Sequence, residues 1–510
     1  MSSTLSPIAA HDTARPIVSL PLIMALVVFL GGVMSTSVLS DADSYWHVAA
    51  GRWILQHRAV PLHDVFSHSI TGVAWTAHEW LSEVVLYSAF QQLGWHGVQW
   101  LASACFAITA GYMLRFLCDR MEPVHAISTC VVCLSLMYTH FLARPHVLVW
   151  PLTALWVGAL VAAGEARRAP PWWLLIVLLF WTNLHGSFIL AIGLAGVLAA
   201  DATWQLETRS AQISAIRRWA AFLVACGACV LINPRGFGAI QHAVGMMHLT
   251  TMLAVVEEWK SADFHEFQPF VIWLGLVLAL AFSGRLRLPI VRGLLVIGLL
   301  YIALKHQRYH ALLGLVSPFL LAMSLAEGLR DQTSRVTADN GSDRAAHLDR
   351  VFHWLARPAR AWSVAAAIAF AGAAAFAARE IAPSGPPTST TPTRALAAFQ
   401  AMGVQGRVLN GYAFGGYLIF REIPVFIDGR SDMYGDAFLT ETGRALSLSS
   451  PAVLENLLEK YRIGWTLLEP RTPAVELLNH LEGWERVFSD STAVVHVRRS
   501  LLPHAAVSSR

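Results

Sequence analysis

The sequence predicts a mainly helical membrane protein, a bundle of about eleven spanning helices followed by a small α/β domain. Of its 510 residues, 55% are hydrophobic and only 14% are charged, and the mean hydropathy is +0.51. Soluble globular domains do not reach such values. The net charge is only +4 and no run of basic residues occurs, so we expect no nucleic-acid partner.

Long apolar runs define the predicted spans. The first, residues 17–39, carries no charge and at about 1.5 Å per residue can cross a hydrocarbon core of roughly 30 Å. Further apolar runs follow at residues 98–117, 125–142, 147–163, 172–181, 187–202, 219–232, 267–282, 289–304, 312–326 and 362–378. Each of them predicts one helix that crosses the membrane.

Arginine between the runs predicts their orientation, because loops rich in Arg and Lys stay in the cytoplasm. Arginines fall on alternate connections: Arg115, Arg120, Arg167, Arg168, Arg209, Arg217, Arg218, Arg285, Arg287, Arg292 and several within residues 330–360. Residues 1–16 are therefore predicted to be a cytoplasmic tail and residues 329–360 a cytoplasmic linker, disordered over the polar stretch 331–349. The last span, residues 361–381, then leaves the C-terminus outside.

A proline-rich connector, residues 382–392, leads from this last span into a predicted extracytoplasmic domain, residues 393–510. Helical patterns at residues 393–402, 451–462 and 474–481 alternate with strand patterns at 407–409, 424–427, 465–468, 486–489 and 493–498. That alternation predicts a small α/β domain. Asp428 and Arg430 follow the second strand pattern, and we favour a turn held by an ion pair over a ligand site.

The transmembrane domain, residues 17–328, contains a first loop at residues 40–95, which the orientation places outside. Its acidic side chains are Asp41, Asp43, Glu79 and Glu83. Carboxylates kept beside a membrane boundary are costly to desolvate and often carry chemistry or bind ions. A structural explanation has equal weight, because Ser40 and Asp43 fit a capping box at the start of a helix, residues 44–57. We expect this helix and a second one, residues 78–93, to lie along the membrane surface.

Basic and imidazole groups lie on the other turns that the orientation places outside. Arg144, Arg235, Lys305 and Arg308 oppose the positive-inside bias, and snorkelling toward lipid headgroups explains any one of them singly. Four together, opposite the acids, suggest a bound phosphate. Three histidines on the same turns extend this phosphate-binding set: His146, His185 and His306.

The first-loop acids carry a resemblance to a known family. Asp41-Ala-Asp43 followed by Tyr45-Trp46-His47, the amphipathic helices of the same loop and the external C-terminal domain resemble the GT-C superfamily of integral-membrane glycosyltransferases. That superfamily includes protein O-mannosyltransferases, lipid A aminoarabinose transferases and oligosaccharyltransferases. The resemblance covers residues 17–326 and implies a sugar donor on a polyprenyl phosphate, whose tail lies among the helices. The acceptor would be an extracytoplasmic glycan, lipid or protein.

The resemblance also implies roles for particular residues. Asp43 would be the general base, or Asp41 if the loop is turned differently, and Glu79 and Glu258 complete the candidate catalytic carboxylates. The basic set would stabilise the polyprenyl phosphate leaving group. Oligosaccharyltransferases hold a metal with a second acidic motif after the third span, but here that turn, residues 140–146, contains no acid. We therefore expect transfer without a metal cofactor, with Mg²⁺ or Mn²⁺ held by Asp41, Asp43 and Glu258 as the alternative.

The arginine-rich composition favours a Gram-negative cell, so we expect a multi-pass protein of a bacterial inner membrane, with its C-terminal domain in the periplasm. The resemblance implies a part in cell-envelope glycan or protein glycosylation. Three alternatives stay open: a polysaccharide ligase or polymerase, a transporter of lipid-linked glycans, and a non-catalytic envelope assembly protein. Charged residues deep in several spans would favour the transporter, and the sequence has almost none.

Overall fold

The computed structural model of the chain describes residues 15–245, 260–339, 343–382 and 385–502, with the backbone alone for 330–339 and 343–347. All the predicted apolar runs lie in helices. The helices of the bundle are α1 (Leu20–Met34), α2 (Asp43–His57), α3 (Trp80–Cys118), α4 (Pro123–Tyr138), α5 (Pro145–Leu148), α6 (Trp150–Glu165), α7 (Leu174–Leu184), α8 (Phe188–Trp204), α9 (Arg209–Cys229), α10 (Phe237–Gly245), α11 (Pro269–Phe282), α12 (Ile290–Lys305), α13 (Tyr309–Asp339), α14 (Asp343–Leu355) and α15 (Ala361–Ala378).

Several of these helices suit a membrane by length and apolar composition. Four described segments are long enough to cross one: Trp80–Cys118, Pro145–Glu165, Tyr309–Leu329 and Ala361–Ala378. Five shorter helices are also apolar: Leu20–Met34, Pro123–Tyr138, Leu174–Leu184, Phe188–Trp204 and Pro269–Phe282. The number of spans and their orientation stay predictions.

Helix α3 joins the predicted surface helix and the predicted second span, with a break between them. Leu93 and Gly94 have non-helical backbone angles, and Gly94 has φ 60° and ψ −147°. Only glycine adopts such angles at low cost. The break therefore separates the part of α3 that belongs to the first loop from the part that enters the bundle.

The start of α2 differs from the predicted capping box. The N-cap residue is Ala42, and the hydroxyl of Ser40 donates to the carbonyl of Ser37 instead. Asp41 does the capping: its Oδ1 accepts from the backbone N–H of Asp43 at 2.7 Å. An acidic side chain at this place also interacts favourably with the helix dipole.

Turns that the arginine pattern assigns to the cytoplasm meet at one end of the bundle. Arg120 pairs with Glu165 at 2.8 Å, and buried Arg292 pairs with buried Asp201 at 2.8 Å. Arg292 also lies 3.8 Å from Glu165. These contacts bring three of the arginine-bearing connections together at one end of the bundle, and the side of a membrane that this end faces stays a prediction.

The described parts of the polar stretch 331–349 are helical, whereas its composition predicts a disordered linker. Its described parts belong to α13, which ends at Asp339, and α14, which begins at Asp343. A helix that is already formed propagates at one hydrogen bond per residue, and residues 331–339 contain neither Pro nor Gly. Helix α13 therefore continues into this stretch.

The C-terminal domain is α/β, as predicted. Its helices are α16 (Thr393–Ala401), α17 (Tyr412–Phe420), α18 (Ser431–Leu446), α19 (Pro451–Lys460) and α20 (Pro473–His480). Its strands are β1 (Arg407–Asn410), β2 (Ile463–Leu468), β3 (Trp484–Ser489) and β4 (Val494–Arg498). The sheet order is β1-β2-β4-β3, with β1 and β2 parallel and the other pairs antiparallel.

The predicted strand 424–427 does not join this sheet. Val425 pairs with the first loop instead: the N–H of His68 donates to the carbonyl of Val425 at 2.9 Å, and the N–H of Val425 donates to the carbonyl of Phe66 at 3.0 Å. One hydrophobic cluster also spans both parts, and among its members are Tyr45, Trp46, Trp75, Phe414, Tyr417 and Val425. The C-terminal domain is thus docked on the first loop.

Arg430 anchors this docking. Its side chain is 1% exposed and donates to both carboxylate oxygens of Asp428, at 2.8 and 2.7 Å, and to Asp64 of the first loop at 2.8 Å. Tyr434 donates its hydroxyl to Asp428 at 2.7 Å. Burial opposes ionisation of Asp428, but the guanidinium overcomes it and lowers the pKa of that carboxyl. The predicted Asp-Arg turn is confirmed.

Candidate active site

Two acids of the first loop share one arginine from a distant turn. Arg144 Nη2 lies 2.6 Å from Asp43 Oδ2, and Arg144 Nε contacts Asp41 Oδ2. The side chain of Asp41 is 9% exposed, that of Asp43 18% and that of Arg144 19%. Opposite charges from the first loop and from the turn after α4 therefore meet in one partly buried place.

Backbone contacts hold these two segments together. The N–H of Ala143 donates to the carbonyl of Val38 at 2.7 Å. The hydroxyl of Ser44 donates to the carbonyl of Ala143 at 3.3 Å. Arg144 directly precedes Pro145, which begins α5, so its position is set by the helix as well. The local fold thus fixes the guanidinium against the start of α2.

Glu79 forms a second centre, at the N-terminus of α3. Its Oε1 lies 3.2 Å from His185 Nε2, and its Oε2 lies 3.9 Å from His47 Nδ1. The side chain is 13% exposed. Burial raises the pKa of Glu79, against the opposing charges of His78, Arg308 and Arg144. A carboxyl with a raised pKa among imidazoles is typical of proton-transfer sites.

Two imidazoles beside Glu79, those of His47 and His185, have pKa values below the ordinary range, which favours their neutral form. Burial lowers the pKa of His47 and of His185, and nearby Arg144 lowers that of His47 further. The N–H of Ser187 donates to His185 Nδ1 at 3.1 Å, so Nε2 carries the ring proton and donates toward Glu79. His185 therefore orients Glu79 and has no second N–H to offer a phosphate.

The remaining predicted phosphate ligands form two groups: those that lie near Glu79 and His185, and those with other contacts. Arg308 acts electrostatically on both Glu79 and His185. The ring of His146 lies 6.5 Å from that of His185, while its Nε2 lies 2.9 Å from the carbonyl of His140. Both Arg308 and His146 belong to the site.

Arg235, Lys305 and His306 have other positions or partners. Arg235 donates to the carbonyls of Leu62, at 3.3 Å, and Trp75, so it holds the first loop in place. Lys305 is exposed at the end of α12, and His306 caps that helix. Glu258 lies outside the described residues.

The C-terminal domain covers the acidic pair, which local sequence patterns do not predict. A Cβ at Gly429 would overlap Asp43 Oδ1 and lie 3.0 Å from Trp46 Nε1. The hydroxyl of Tyr412 donates to the carbonyl of Gly429 at 3.4 Å, and burial followed by the charge of Asp43 raises the pKa of Tyr412. Tyr412 and Gly429, which are far from Asp43 in the chain, thus cover its side chain, and we call these two residues the roof over Asp43.

Two buried polar atoms at this place make no hydrogen bond within the described residues. They are Trp46 Nε1, beside Asp43, and His47 Nδ1, beside Glu79. A buried polar atom without a partner is costly and calls for a ligand or water. One such atom therefore lies beside each of the two carboxylate centres.

An apolar groove of about 460 Å³ opens next to Glu79. Its lining residues are Trp80, Leu81, Leu179, Phe180, Asn183, Leu231, Ile232, Asn233 and Pro234. Two of these residues are joined by a hydrogen bond, from Trp80 Nε1 to Asn183 Oδ1 at 3.0 Å. A groove of this volume and composition suits an aliphatic chain.

Comparison with known structures identifies the class of fold. The apolar helical bundle with its acidic first loop and docked α/β domain has a GT-C-like fold, that of polytopic membrane glycosyltransferases. No protein-family model matches the chain, and no curated protein matches it in sequence.

Two particular structures illustrate the likeness. ArnT from Cupriavidus metallidurans bound to undecaprenyl phosphate superposes with a TM-score of 0.51 at 13% identity, over 95% of this chain and 98% of that one. The Archaeoglobus fulgidus oligosaccharyltransferase tethered to an acceptor peptide gives a TM-score of 0.55 at 10% identity, over 88% of this chain and 68% of that one. At such identities the likeness shows the fold alone.

The contact at Gly429 gives a first prediction. Gly429→Ala is expected to destabilise the docked domain by about 1–3 kcal/mol, because the added methyl group overlaps Asp43 and has no space to enter. Thermal unfolding followed by tryptophan fluorescence measures the change. Gly443→Ala is the matched control, since Gly443 lies in α18 and a Cβ added there would meet no atom within 4 Å. Equal melting temperatures for the two variants would contradict the close contact.

Proposed function

We propose that the chain is a membrane glycosyltransferase that moves a sugar from a polyprenyl-phosphate donor to an extracytoplasmic acceptor in the cell envelope. One observation carries this proposal: Arg144 pairs with both Asp41 and Asp43. Glu79, whose side chain is mostly buried, lies nearby. The GT-C-like fold supports it, because the structural neighbours with this fold are membrane glycosyltransferases. We place the protein in a bacterial inner membrane, with this end in the periplasm.

The proposed reaction is a displacement at the anomeric carbon. Asp43 takes the proton of an acceptor hydroxyl, and the hydroxyl oxygen forms a bond to the anomeric carbon as the bond to the phosphate oxygen breaks. The electron pair of that bond leaves with the polyprenyl phosphate. Trp46 Nε1, buried beside Asp43 without a partner among the described residues, is placed to donate to a sugar or acceptor oxygen.

Arg144 acts as a positioning residue in this scheme. Its positive guanidinium compensates the negative charges of Asp41 and Asp43. Without it the two neighbouring carboxylates would repel each other. An ion held by these two acids would have to displace the guanidinium, and this supports transfer without Mg²⁺ or Mn²⁺.

Arg308 is the proposed ligand of the donor phosphate. Its charge acts on Glu79 and His185, and its forked guanidinium suits a phosphate group. The apolar groove begins at Trp80, the neighbour of Glu79, so a prenyl tail lying there would bring its phosphate to this side of the site. Lys305, exposed at the end of α12, completes the set of basic residues proposed to attract the phosphate.

Glycan analysis tests the proposed function. Cells that lack the chain should lose one sugar from an envelope glycan, lipid or protein and accumulate the corresponding polyprenyl-phosphate-linked sugar, and the wild-type chain should restore both. Mass spectrometry of envelope and lipid extracts measures the two changes. An unchanged glycan profile together with an unchanged lipid-linked pool would contradict a transferase. Redistribution of the lipid-linked sugar across the membrane, without its consumption, would favour a transporter.

The raised pKa of Glu79 predicts a pH dependence of transfer. Protonated Glu79 no longer attracts Arg308 or accepts from His185, so transfer should fall as the pH drops through the pKa of this carboxyl. Because that pKa is above the ordinary value of 4.5, the acid limb of kcat/KM should lie above pH 4.5. Glu79→Gln should show lower transfer without this limb. A limb of the same midpoint in Glu79→Gln would assign it to another group.

A further inference from the structure

A second cluster of ligand-type side chains lies beside the proposed catalytic centre and joins three separate parts of the chain. His78 comes from the first loop, His242 from α10 and Asp432 from the first turn of α18. One ligand atom from each lies within 4.8 Å of the other two. Two imidazoles and one carboxylate form the donor set of many zinc sites that have three protein ligands.

The hydrogen bonds of His78 leave its outer nitrogen able to bind a metal. His78 Nδ1 lies 3.1 Å from the carbonyl of Thr76, and a carbonyl accepts only, so Nδ1 carries the ring proton. Nε2 therefore presents a lone pair. Histidines that bind metals usually donate their other ring N–H to a carbonyl or carboxylate in this way, which fixes the ring orientation.

His242 and Asp432 already have the spacing that a tetrahedral ion requires. His242 Nε2 lies 3.5 Å from Asp432 Oδ2 and is buried without a hydrogen bond within the described residues. Ligand atoms about 2.0–2.1 Å from zinc are separated by roughly 3.4 Å in a tetrahedron. The ligand atoms of the group lie within 4.8 Å of one another, so a side-chain movement of at most about 1.5 Å by His78 would complete a tetrahedral site.

We propose that His78, His242 and Asp432 bind one zinc ion, which fastens the C-terminal domain to the first loop and to α10. Borderline imidazole ligands with a single carboxylate favour zinc over Mg²⁺, which prefers several oxygens. The fourth position is left for water. The site is separate from the proposed transfer chemistry, because no step at Asp43 uses the ion, and zinc binding is measured without any transfer assay.

Metal binding by the full-length protein tests this inference. The purified chain in detergent, with any tag removed, is treated with a chelator, desalted and titrated with zinc chloride by calorimetry, and bound zinc is counted by elemental analysis. We expect one zinc ion per chain and a higher melting temperature with zinc. His242→Ala and Asp432→Asn should weaken zinc binding by at least about 100-fold, since the loss of even an indirect supporting group costs 10–100-fold.

His353→Ala is the matched control. His353 belongs to an exposed group with Glu122 and Asp349, and its loss should leave both stoichiometry and affinity unchanged. Gel filtration confirms that each variant is folded, and cobalt absorption of the wild type reports directly whether imidazoles bind the ion. A wild-type chain that takes up no zinc would overturn the proposal, as would full zinc binding by both His242→Ala and Asp432→Asn.

Discussion

Asp43→Asn is expected to reduce sugar transfer by about 10²- to 10⁴-fold, the usual contribution of a positioned general base. The amide has nearly the shape of the carboxylate, but it cannot take the acceptor proton. Asp41 remains on Arg144, so the variant should fold and enter the membrane normally. Transfer is measured by the recovery of the missing envelope sugar in cells that lack the wild-type chain.

The control for this variant is an acid that the arginine pattern places on the same side but outside the site. Asp263 is exposed, and its side chain accepts from the backbone N–H of His265. Asp263→Asn should transfer at the wild-type rate. Asp41→Asn is informative as well, because greater damage there than at Asp43 would identify Asp41 as the base. Wild-type transfer by Asp43→Asn would remove Asp43 from that role.

Arg430→Ala is expected to lower the free energy of unfolding of the docked domain by about 3–5 kcal/mol. Removal of one partner from a buried ion pair leaves its counter-charges buried without compensation. Here both Asp428 and Asp64 would be left in that state, and the guanidinium contact with Trp75, at 4.8 Å from the ring centroid, would be lost as well. The melting temperature and the rate of limited proteolysis of the C-terminal domain measure the change.

Arg444→Ala is the control for Arg430→Ala. Arg444 is an exposed residue of α18, and exposed substitutions usually change stability by less than about 0.5 kcal/mol. If transfer requires the roof over Asp43, Arg430→Ala should also lose activity, whereas Arg444→Ala should not. Equal stability and equal proteolysis of the two variants would show that the ion pairs of Arg430 with Asp428 and Asp64 do not hold the domain in place.

The bundle and the acidic loop were predictable because hydrophobic length and charge are local properties of the chain. The uncharged run at residues 17–39 became α1, and the acids directly after it reached the site. The arginine pattern predicted which turns lie outside, and this orientation stays a prediction. It could not distinguish Arg144, which pairs with acids, from Arg235, which holds backbone carbonyls, because both simply oppose the positive-inside bias.

Long-range contacts explain most of what the sequence did not predict. Residues 424–427 have a strand pattern, but Val425 pairs with Phe66 and His68 of the first loop rather than with the sheet. Gly429, His242 and Asp432 carry no local signal, since their meaning depends on partners from other parts of the chain. Helix α17 was not predicted, because it contains neighbouring glycines. A Cβ at Gly416 would lie 2.5 Å from the carbonyl oxygen of Ala42, so this glycine permits close packing and does not mark a turn.

The position of a bound lipid phosphate tests the central claim most directly. Cryo-electron microscopy of the chain in nanodiscs that contain undecaprenyl phosphate would locate both the head group and the tail. We predict phosphate density within about 3 Å of the Arg308 guanidinium, on the same side of the bundle as Asp43, with the tail entering the groove at Trp80. Phosphate density at the opposite end of the bundle, beside Arg120 and Arg292, would contradict the account.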